Sequence, residues 1–293
     1  MLNKDTLSEL NEVAIQAAKE AGQFILSQSG SEQKVQKKAT GYSLASQVVT
    51  DIDIKSQAII LRYLQPSIQR YDIGLLAEER ADDLSRLEKD YFWTIDPLDG
   101  TLAFSRQRSG YAVSIALVTQ QGDPMLAVVY IPDLDVCYTS IKTSGVWLND
   151  QRFYRRMTSD SSTLYIYEDL SLRSRPWYQH LRDYLHRYAA DVGFKQVEHQ
   201  VGFGAVRNAI AVMHAPHACY MKFPKPQQGG GSIWDFAATR LFFEELQLPV
   251  STICGETLWL NDPSSTFMNK AGIVYATDAS LADTIRAYQP DDQ

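Results

Sequence analysis

Apolar side chains open this chain at helical spacing. Between residues 6 and 26, Leu7, Leu10, Val13, Ala14, Ala17, Ala21, Phe24 and Ile25 recur three and four apart, which predicts an amphipathic helix with one buried stripe. Thr6 followed by Glu9 reads as its capping box and Gly30 as its close. Residues 31–46 break the pattern. They are polar, hold Lys34, Lys37 and Lys38, and read as a solvated loop or hairpin, with a second reading in which Lys37 or Lys38 reaches toward a phosphate. Helical spacing returns at Ile54, Ala58, Ile59, Leu61 and Leu64, in a segment that Asp51 or Asp53 can cap and that Pro66 should stop.

Beyond it the pattern becomes that of strands. Residues 73–76, 91–95, 111–118 and 126–131 are β-rich runs, the last two joined by a turn-rich stretch that signals a hairpin. Residues 136–141 and 145–148 continue the meander, so residues 1–154 predict an antiparallel-rich sheet with helices on one face. From residue 155 to 293 the pattern alternates: strand at 164–167, helix at 176–188, strand at 194–198, helix at 205–214 and strand at 218–223. A Pro/Gly loop then precedes a strong helix at 236–246 and closing strands at 250–254 and 273–276. The expected fold is therefore a layered α+β to α/β sandwich of two closely packed halves, 1–154 and 155–293.

Composition narrows the class. A hydrophobic content of 45% with 22% charged residues belongs to a globular chain, and no apolar run approaches the roughly 20 residues of a membrane span. Asp5, Glu9 and Glu12 interrupt the N-terminal apolar residues, unlike a signal peptide, which predicts a cytoplasmic protein. The net charge of −7 argues against a nucleic-acid polymer as partner, while a local cationic or metal-filled pocket can still take a small anion. Cys137, Cys219 and Cys254 are well separated and lack a CxxC pair, so buried reduced thiols are expected.

The chemistry concentrates where the strand at 91–95 runs into Asp96-Pro97-Leu98-Asp99-Gly100-Thr101. Pro97 and Gly100 predict a turn that brings Asp96 and Asp99 to one side. Like charges held close raise one another's pKa unless a cation neutralises them, and hard oxygen ligands suit Mg²⁺. A plain surface turn capped by Asp explains the same stretch. Asp235, just after Trp234 at a helix start, likewise reads as a cap or as a ligand. The count of carboxylates matters because a phosphomonoester dianion repels nucleophiles. Two ions about 3.5–4 Å apart neutralise it, acidify water and stabilise the leaving oxygen.

Four blocks in order, Val49-Thr50-Asp51-Ile52-Asp53, Ala77-Glu78-Glu79, Asp96-Pro97-Leu98-Asp99-Gly100-Thr101 and Ile233-Trp234-Asp235-Phe236-Ala237-Ala238, resemble the inositol monophosphatase family of metal-dependent phosphatases. The resemblance covers about residues 48–276. It implies that Glu78, Asp96 and the Leu98 carbonyl hold one Mg²⁺, that Asp96, Asp99 and Asp235 hold a second, and that a third, weaker ion sits near Glu78 and Glu79. It further implies that Gly100 and Thr101 grip phosphate oxygens, that Thr101 with Asp53 orients and deprotonates the attacking water with Glu79 in the catalytic group, and that a homodimer forms. No covalent phosphoenzyme is implied. Ala77 stands where the family usually has Gly, Gln247-Leu248-Pro249 replaces paired glycines, and Gly229 to Gly231 lengthen the approach to Trp234.

Within the family, the DPLDGT block and the strands at 114–118 and 128–132 look most like 3'(2'),5'-bisphosphate nucleotidases, which implies 3'-phosphoadenosine 5'-phosphate as substrate. Lys222 aligns where inositol phosphatases carry an acidic residue and where some bisphosphate nucleotidases carry a basic one. An inositol-1-phosphatase and a non-catalytic phosphometabolite-binding relative are the competing readings, and Lys222 also reads as a lysine snorkelling into water.

Overall fold

The computed structural model describes residues 2–29, 35–37, 48–155 and 162–290. Helix α1 (Lys4–Ser27) buries Leu7, Leu10, Ala14, Ala17, Ala21 and Ile25, the predicted stripe. Its cap differs from the prediction. Asn3 Oδ1 accepts from the Thr6 N–H at 2.8 Å, so the helix starts earlier and Thr6 with Glu9 is not the capping box. An asparagine beside the first turn satisfies an orphan donor as well as threonine would. Gly30, Lys34 and Lys38 lie outside the described residues, as does the Lys37 side chain. Strands β1 (Val35–Lys37) and β2 (Val48–Thr50) pair antiparallel.

Helix α2 (Asp51–Tyr71) runs through Pro66 instead of ending there. An interior proline costs about 3 kcal/mol, and burial offsets it here. The turn after Pro66 is tied into the core by Ser67, whose hydroxyl donates to the Leu64 carbonyl at 2.7 Å and accepts from the buried Trp93 indole at 3.0 Å.

A seven-stranded sheet follows in strict chain order: β3 (Gly74–Ala77), then, after the short helix α3 (Ser85–Glu88), β4 (Tyr91–Asp99). The short helix α4 (Thr101–Ser105) precedes β5 (Ala112–Thr119), β6 (Pro124–Ile131), β7 (Val136–Ile141), β8 (Val146–Leu148) and β9 (Gln151–Arg152). Only β3 and β4 are parallel neighbours; the other pairs are antiparallel.

The second sheet has order β11-β10-β12-β14-β13. It is built from β10 (Thr163–Glu168), then α5 (Leu170–Arg173) and α6 (Tyr178–Asp191), then β11 (Gln196–Val201). Helix α7 (Ala205–His214), β12 (Ala218–Lys222), α8 (Ile233–Glu245), β13 (Val250–Ser251), β14 (Ile273–Ala276) and α9 (Ala279–Ala287) complete it.

Side-chain alternation in the seven-stranded sheet sets the layering. Trp93, Ile95, Ile115, Leu117 and Val128 pack with α1 and α2, whereas Phe92, Ala116, Val118, Ala127 and Val129 pack with α7 and α8. Helices thus cover both faces of this sheet, not one as expected. The reason is α8, whose Phe236, Ala237, Leu241, Phe242 and Phe243 are all fully buried because both of its sides meet a sheet. The second sheet's other face carries Cys219, Met221 and Val274 against Leu181 and Leu185 of α6 and Leu281 and Ile285 of α9. The order is helices, sheet, helices, sheet, helices, the layered sandwich that the pattern predicted. Cys137 and Cys219 are buried thiols, but Cys254 is exposed, against expectation.

Candidate active site

The site begins with an irregularity in β4. Asp96 pairs with Ser114 of β5, but Asp99 pairs with Ala112, so three steps on β4 match two on β5. Residues three apart on a regular strand face opposite ways; the extra residue of this bulge turns Asp99 to the same side as Asp96. The predicted turn is therefore a bulge within a strand. Ser56 of α2 donates to the Pro97 carbonyl at 2.8 Å and the Leu98 N–H donates to Asp96 Oδ1 at 3.0 Å, which hold the bulged residues in place.

Asp235 arrives from α8. Its Oδ2 accepts from the Ser232 N–H at 2.6 Å, and Ser114 Oγ reaches the Trp234 carbonyl at 3.4 Å, tying the start of α8 to β5. The capping reading of Asp235 is met. The residue also places a carboxylate oxygen in a group with Asp96 and Asp99 whose ligand atoms all lie within 4.8 Å of one another. Asp96 and Asp99 are buried, Asp235 half-buried.

Crowding shows in the electrostatics. Burial, then the Glu78, Asp99 and Asp235 carboxylates, pushes the Asp96 carboxyl well above the carboxylate range. Asp99 is raised by burial and Asp235, against the pull of the Arg207 and Ala205 N–H groups and Lys222. Asp235 is pushed up to about 6, chiefly by burial, with Lys222 opposing.

These residues line one cavity of about 740 Å³ that also takes in Glu78, Leu98, Gly100, Thr101 and Lys222. Asp53 stands behind it. It is fully buried in the first turn of α2, where its Oδ1 lies 2.9 Å from the Thr101 hydroxyl, which is also 3.1 Å from the Leu98 carbonyl. Glu79 is half-buried, does not line the cavity, and takes its backbone from Gln57, whose Oε1 accepts the Glu79 N–H at 2.8 Å. Gly100 sits at φ 83°, a left-handed turn where an added Cβ would lie 2.5 Å from the Gly110 carbonyl oxygen. Lys222 faces the cavity, but its ammonium is 2.6 Å from Asp169 Oδ2 and lies over the Tyr220 and Phe236 rings.

A model of the inositol monophosphatase family matches residues 6–290. The chain belongs to that family. An inositol-1-monophosphatase of Mesorhizobium japonicum is 34% identical over 145 residues, which span 50% of this chain and 52% of that relative, so the match reaches about half the relative's length. The Nus factor SuhB of Vibrio cholerae is 26% identical over 273 residues, 89% of this chain and 91% of that protein. Among solved structures, a staphylococcal inositol monophosphatase-1 shares the fold at TM-score 0.75 and 19% identity, covering 99% of this chain and 98% of that one. A SuhB from Bartonella henselae does so at TM-score 0.72 and 24% identity, covering 95% and 97%.

Some site features of this family member escaped the sequence reading. The first turn of α7 lies on Asp99, whose Oδ2 accepts from the Val206 and Arg207 N–H groups at 3.0 and 3.3 Å. Arg175, Lys225 and Asp169 line the cavity as well. None sits in an acidic block, and Arg175 precedes a helix that patterning alone describes as structural; only chain folding brings them in.

The raised carboxyls make a pH prediction. Asp235 titrates at about 6 in the fold against an ordinary 3.8. The folded form holds that proton more tightly than the unfolded chain, so its contribution to stability is present below about pH 3.8 and is lost as pH rises through about 6. Metal-free protein should therefore lose stability relative to Asp235→Asn across that window, measured as the difference in Tm between the two. A difference that stays flat from pH 4 to 7 would show that Asp235 is not held in a repulsive, buried setting.

Proposed function

We propose that this protein is a Mg²⁺-dependent phosphomonoesterase acting on a small phosphorylated metabolite. The observation that carries the reading is the convergence of Asp96, Asp99 and Asp235 to within 4.8 Å at the cavity, three anions that folding alone gains nothing by collecting. The donor set is entirely oxygen, with neither imidazole nor thiolate, and so fits a hard divalent cation. Asp96, Asp99, Asp235, Glu78 and the Leu98 carbonyl would hold the ions, which when bound supply charge neutralisation and an acidified water.

The chain's own residues supply the rest. Because the Thr101 hydroxyl donates its single proton to the nearer acceptor, Asp53, its lone pairs are left to accept a hydrogen bond from water at the cavity. Asp53, sealed from solvent, holds that hydroxyl in orientation and receives the Thr101 proton as Thr101 takes one from the water, leaving a neutral Asp53 carboxyl and a hydroxide at the cavity. Gly100 and Thr101 line the cavity where a phosphate would sit. Thr101→Ala and Asp53→Asn should each slow turnover by about 10²–10⁴-fold while Mg²⁺ affinity stays near that of the parent, since general-base positioning is worth that much. Equal loss of Mg²⁺ binding in both variants, by calorimetry, would place these residues among the ligands instead.

For the substrate we infer a 3'(2'),5'-bisphosphate nucleoside such as 3'-phosphoadenosine 5'-phosphate. Support comes from cations: Lys222, Lys225 and Arg175 line the same cavity in a chain of net charge −7. Burial, then the like charges of Lys222 and Arg175, pushes the Lys225 ammonium down, a crowding that a second phosphate would relieve. Lys222 shares its charge with Asp169, so the second phosphate would draw on all three cations. The competing reading is an inositol-1-phosphatase, favoured by the rhizobial relative and by Asp169, a carboxylate at the cavity able to accept from sugar hydroxyls. A non-catalytic binder would hold these ligands and release nothing.

Phosphate release with and without Mg²⁺ across 3'-phosphoadenosine 5'-phosphate, inositol 1-phosphate and fructose 1,6-bisphosphate separates the readings. Mg²⁺-dependent turnover should be fastest on the first. Lys225→Met should raise its KM about tenfold to a hundredfold, the worth of a charge-assisted contact of about 1.5–3 kcal/mol, and scarcely alter a simple monophosphate. Faster hydrolysis of inositol 1-phosphate would overturn the nucleotide reading, and no release from any substrate would overturn the enzyme.

A further inference from the structure

We infer that Gly204 is a positioning residue: its missing side chain lets the first turn of α7 lock the Asp99 carboxylate in the orientation that faces Asp96 and Asp235. The inference rests on the reading of Asp99 as a metal ligand.

Gly204, at the N-cap of α7, has φ −66° and ψ 169°, a backbone conformation open to any residue. Conformational freedom is therefore not what glycine supplies there. Space is. A Cβ built on Gly204 would fall 2.3 Å from Asp99 Oδ2, 2.4 Å from its Cγ and 2.5 Å from Oδ1, well inside contact distance for the whole carboxylate. The approach is part of a tight junction. The Gly204 N–H donates to the Gly110 carbonyl at 2.8 Å, and that same oxygen lies 2.5 Å from where a Cβ on Gly100 would stand. Three glycines thus bring the end of β4, the approach to β5 and the start of α7 together around one side chain.

The consequence is that the Asp99 carboxylate is gripped by α7 while it faces the cluster. Oδ2 accepts from the N–H groups of Val206 and Arg207, while the carboxylate still has a ligand oxygen within 4.8 Å of those of Asp96 and Asp235. A methyl at position 204 must displace either α7 or the carboxylate. α7 is fixed in the central layer by the buried Val206, Val212 and Met213, whereas Asp99 needs only a side-chain rotation. The carboxylate therefore gives way, at small cost to the fold and large cost to the site.

The test is Mn²⁺ binding, read from the electron paramagnetic resonance signal of the free ion, in the parent, Gly204→Ala and Gly193→Ala. Gly193 has φ 91° and nothing within 4 Å of an added Cβ, so alanine there strains the backbone without touching the site. Gly204→Ala should weaken Mn²⁺ binding by about 10–100-fold, the usual cost of disturbing a group that orients a ligand, with a metal-free Tm close to the parent's. Gly193→Ala should lower Tm and leave Mn²⁺ affinity unchanged. In an Asp99→Ala background, Gly204→Ala should cost no further affinity. Parent-like Mn²⁺ binding by Gly204→Ala, or an equal further loss in the Asp99→Ala background, overturns the inference. Should Gly204→Ala fail to fold, Asp99→Ala/Gly204→Ala should fold, because the carboxylate it collides with is gone; a double variant that also fails overturns it. A parent that binds no Mn²⁺ would instead remove the metal reading itself.

Discussion

One extra residue in β4 governs the chemistry of this molecule. Without the bulge between Asp96 and Asp99 the two carboxylates would face opposite sides of the sheet. With it they share one side, and the start of α8 adds Asp235. Burial then makes each anion costly, and neighbouring carboxylates add to it, Asp235 raising Asp96 and Asp99 and Glu78 raising Asp96 and Asp235. Lys222 offsets part of that cost, yet its nearest carboxylate is Asp169, so the repulsion at the cluster persists in the protein alone. Such an arrangement gains its stability from what binds it.

The architecture explains how so unfavourable a cluster survives folding. α7 and α8 lie between two sheets, and both helices are buried along most of their length. Each sends its first turn to the cavity: α7 grips Asp99, and α8 presents Asp235. The hydrophobic layer thus fixes two of the three carboxylates from elements far apart in sequence. α2 does the same from the opposite face of the first sheet, where Ser56 holds the bulge and Asp53 holds Thr101.

Much of this was legible in the chain because the local patterns agree with the fold. The β-rich runs at 112–119 and 124–131, the stripe of α1 and the acidic blocks all signal their structure within a few residues. What the pattern misjudged depends on distant partners. Pro66 looked like a stop because its helix's packing on Trp93 is not local. Helices were expected on one face since nothing near residues 91–131 announces that α8, a hundred residues later, covers the other. α9 went unseen although Asp278 caps it, its Oδ1 taking the Leu281 N–H at 2.9 Å, because Leu281, Ala282 and Ile285 are too few to declare a stripe. At the site, the acidic residues stood out by type and spacing, while Gly204, Lys225 and Arg175 acquire meaning only from what lies beside them.

The central claim is that the cluster of Asp96, Asp99 and Asp235 exists to hold divalent cations. The most direct measurement is the Tm at neutral pH of the parent and of Asp96→Asn, each with and without Mg²⁺. A neutral amide removes a repulsive buried charge, so metal-free Asp96→Asn should melt no lower than the parent; Mg²⁺ should raise the Tm of the parent and leave the variant nearly unmoved. A parent that does not respond to Mg²⁺, or a variant that melts lower without metal and responds to Mg²⁺ as fully as the parent, would contradict the account.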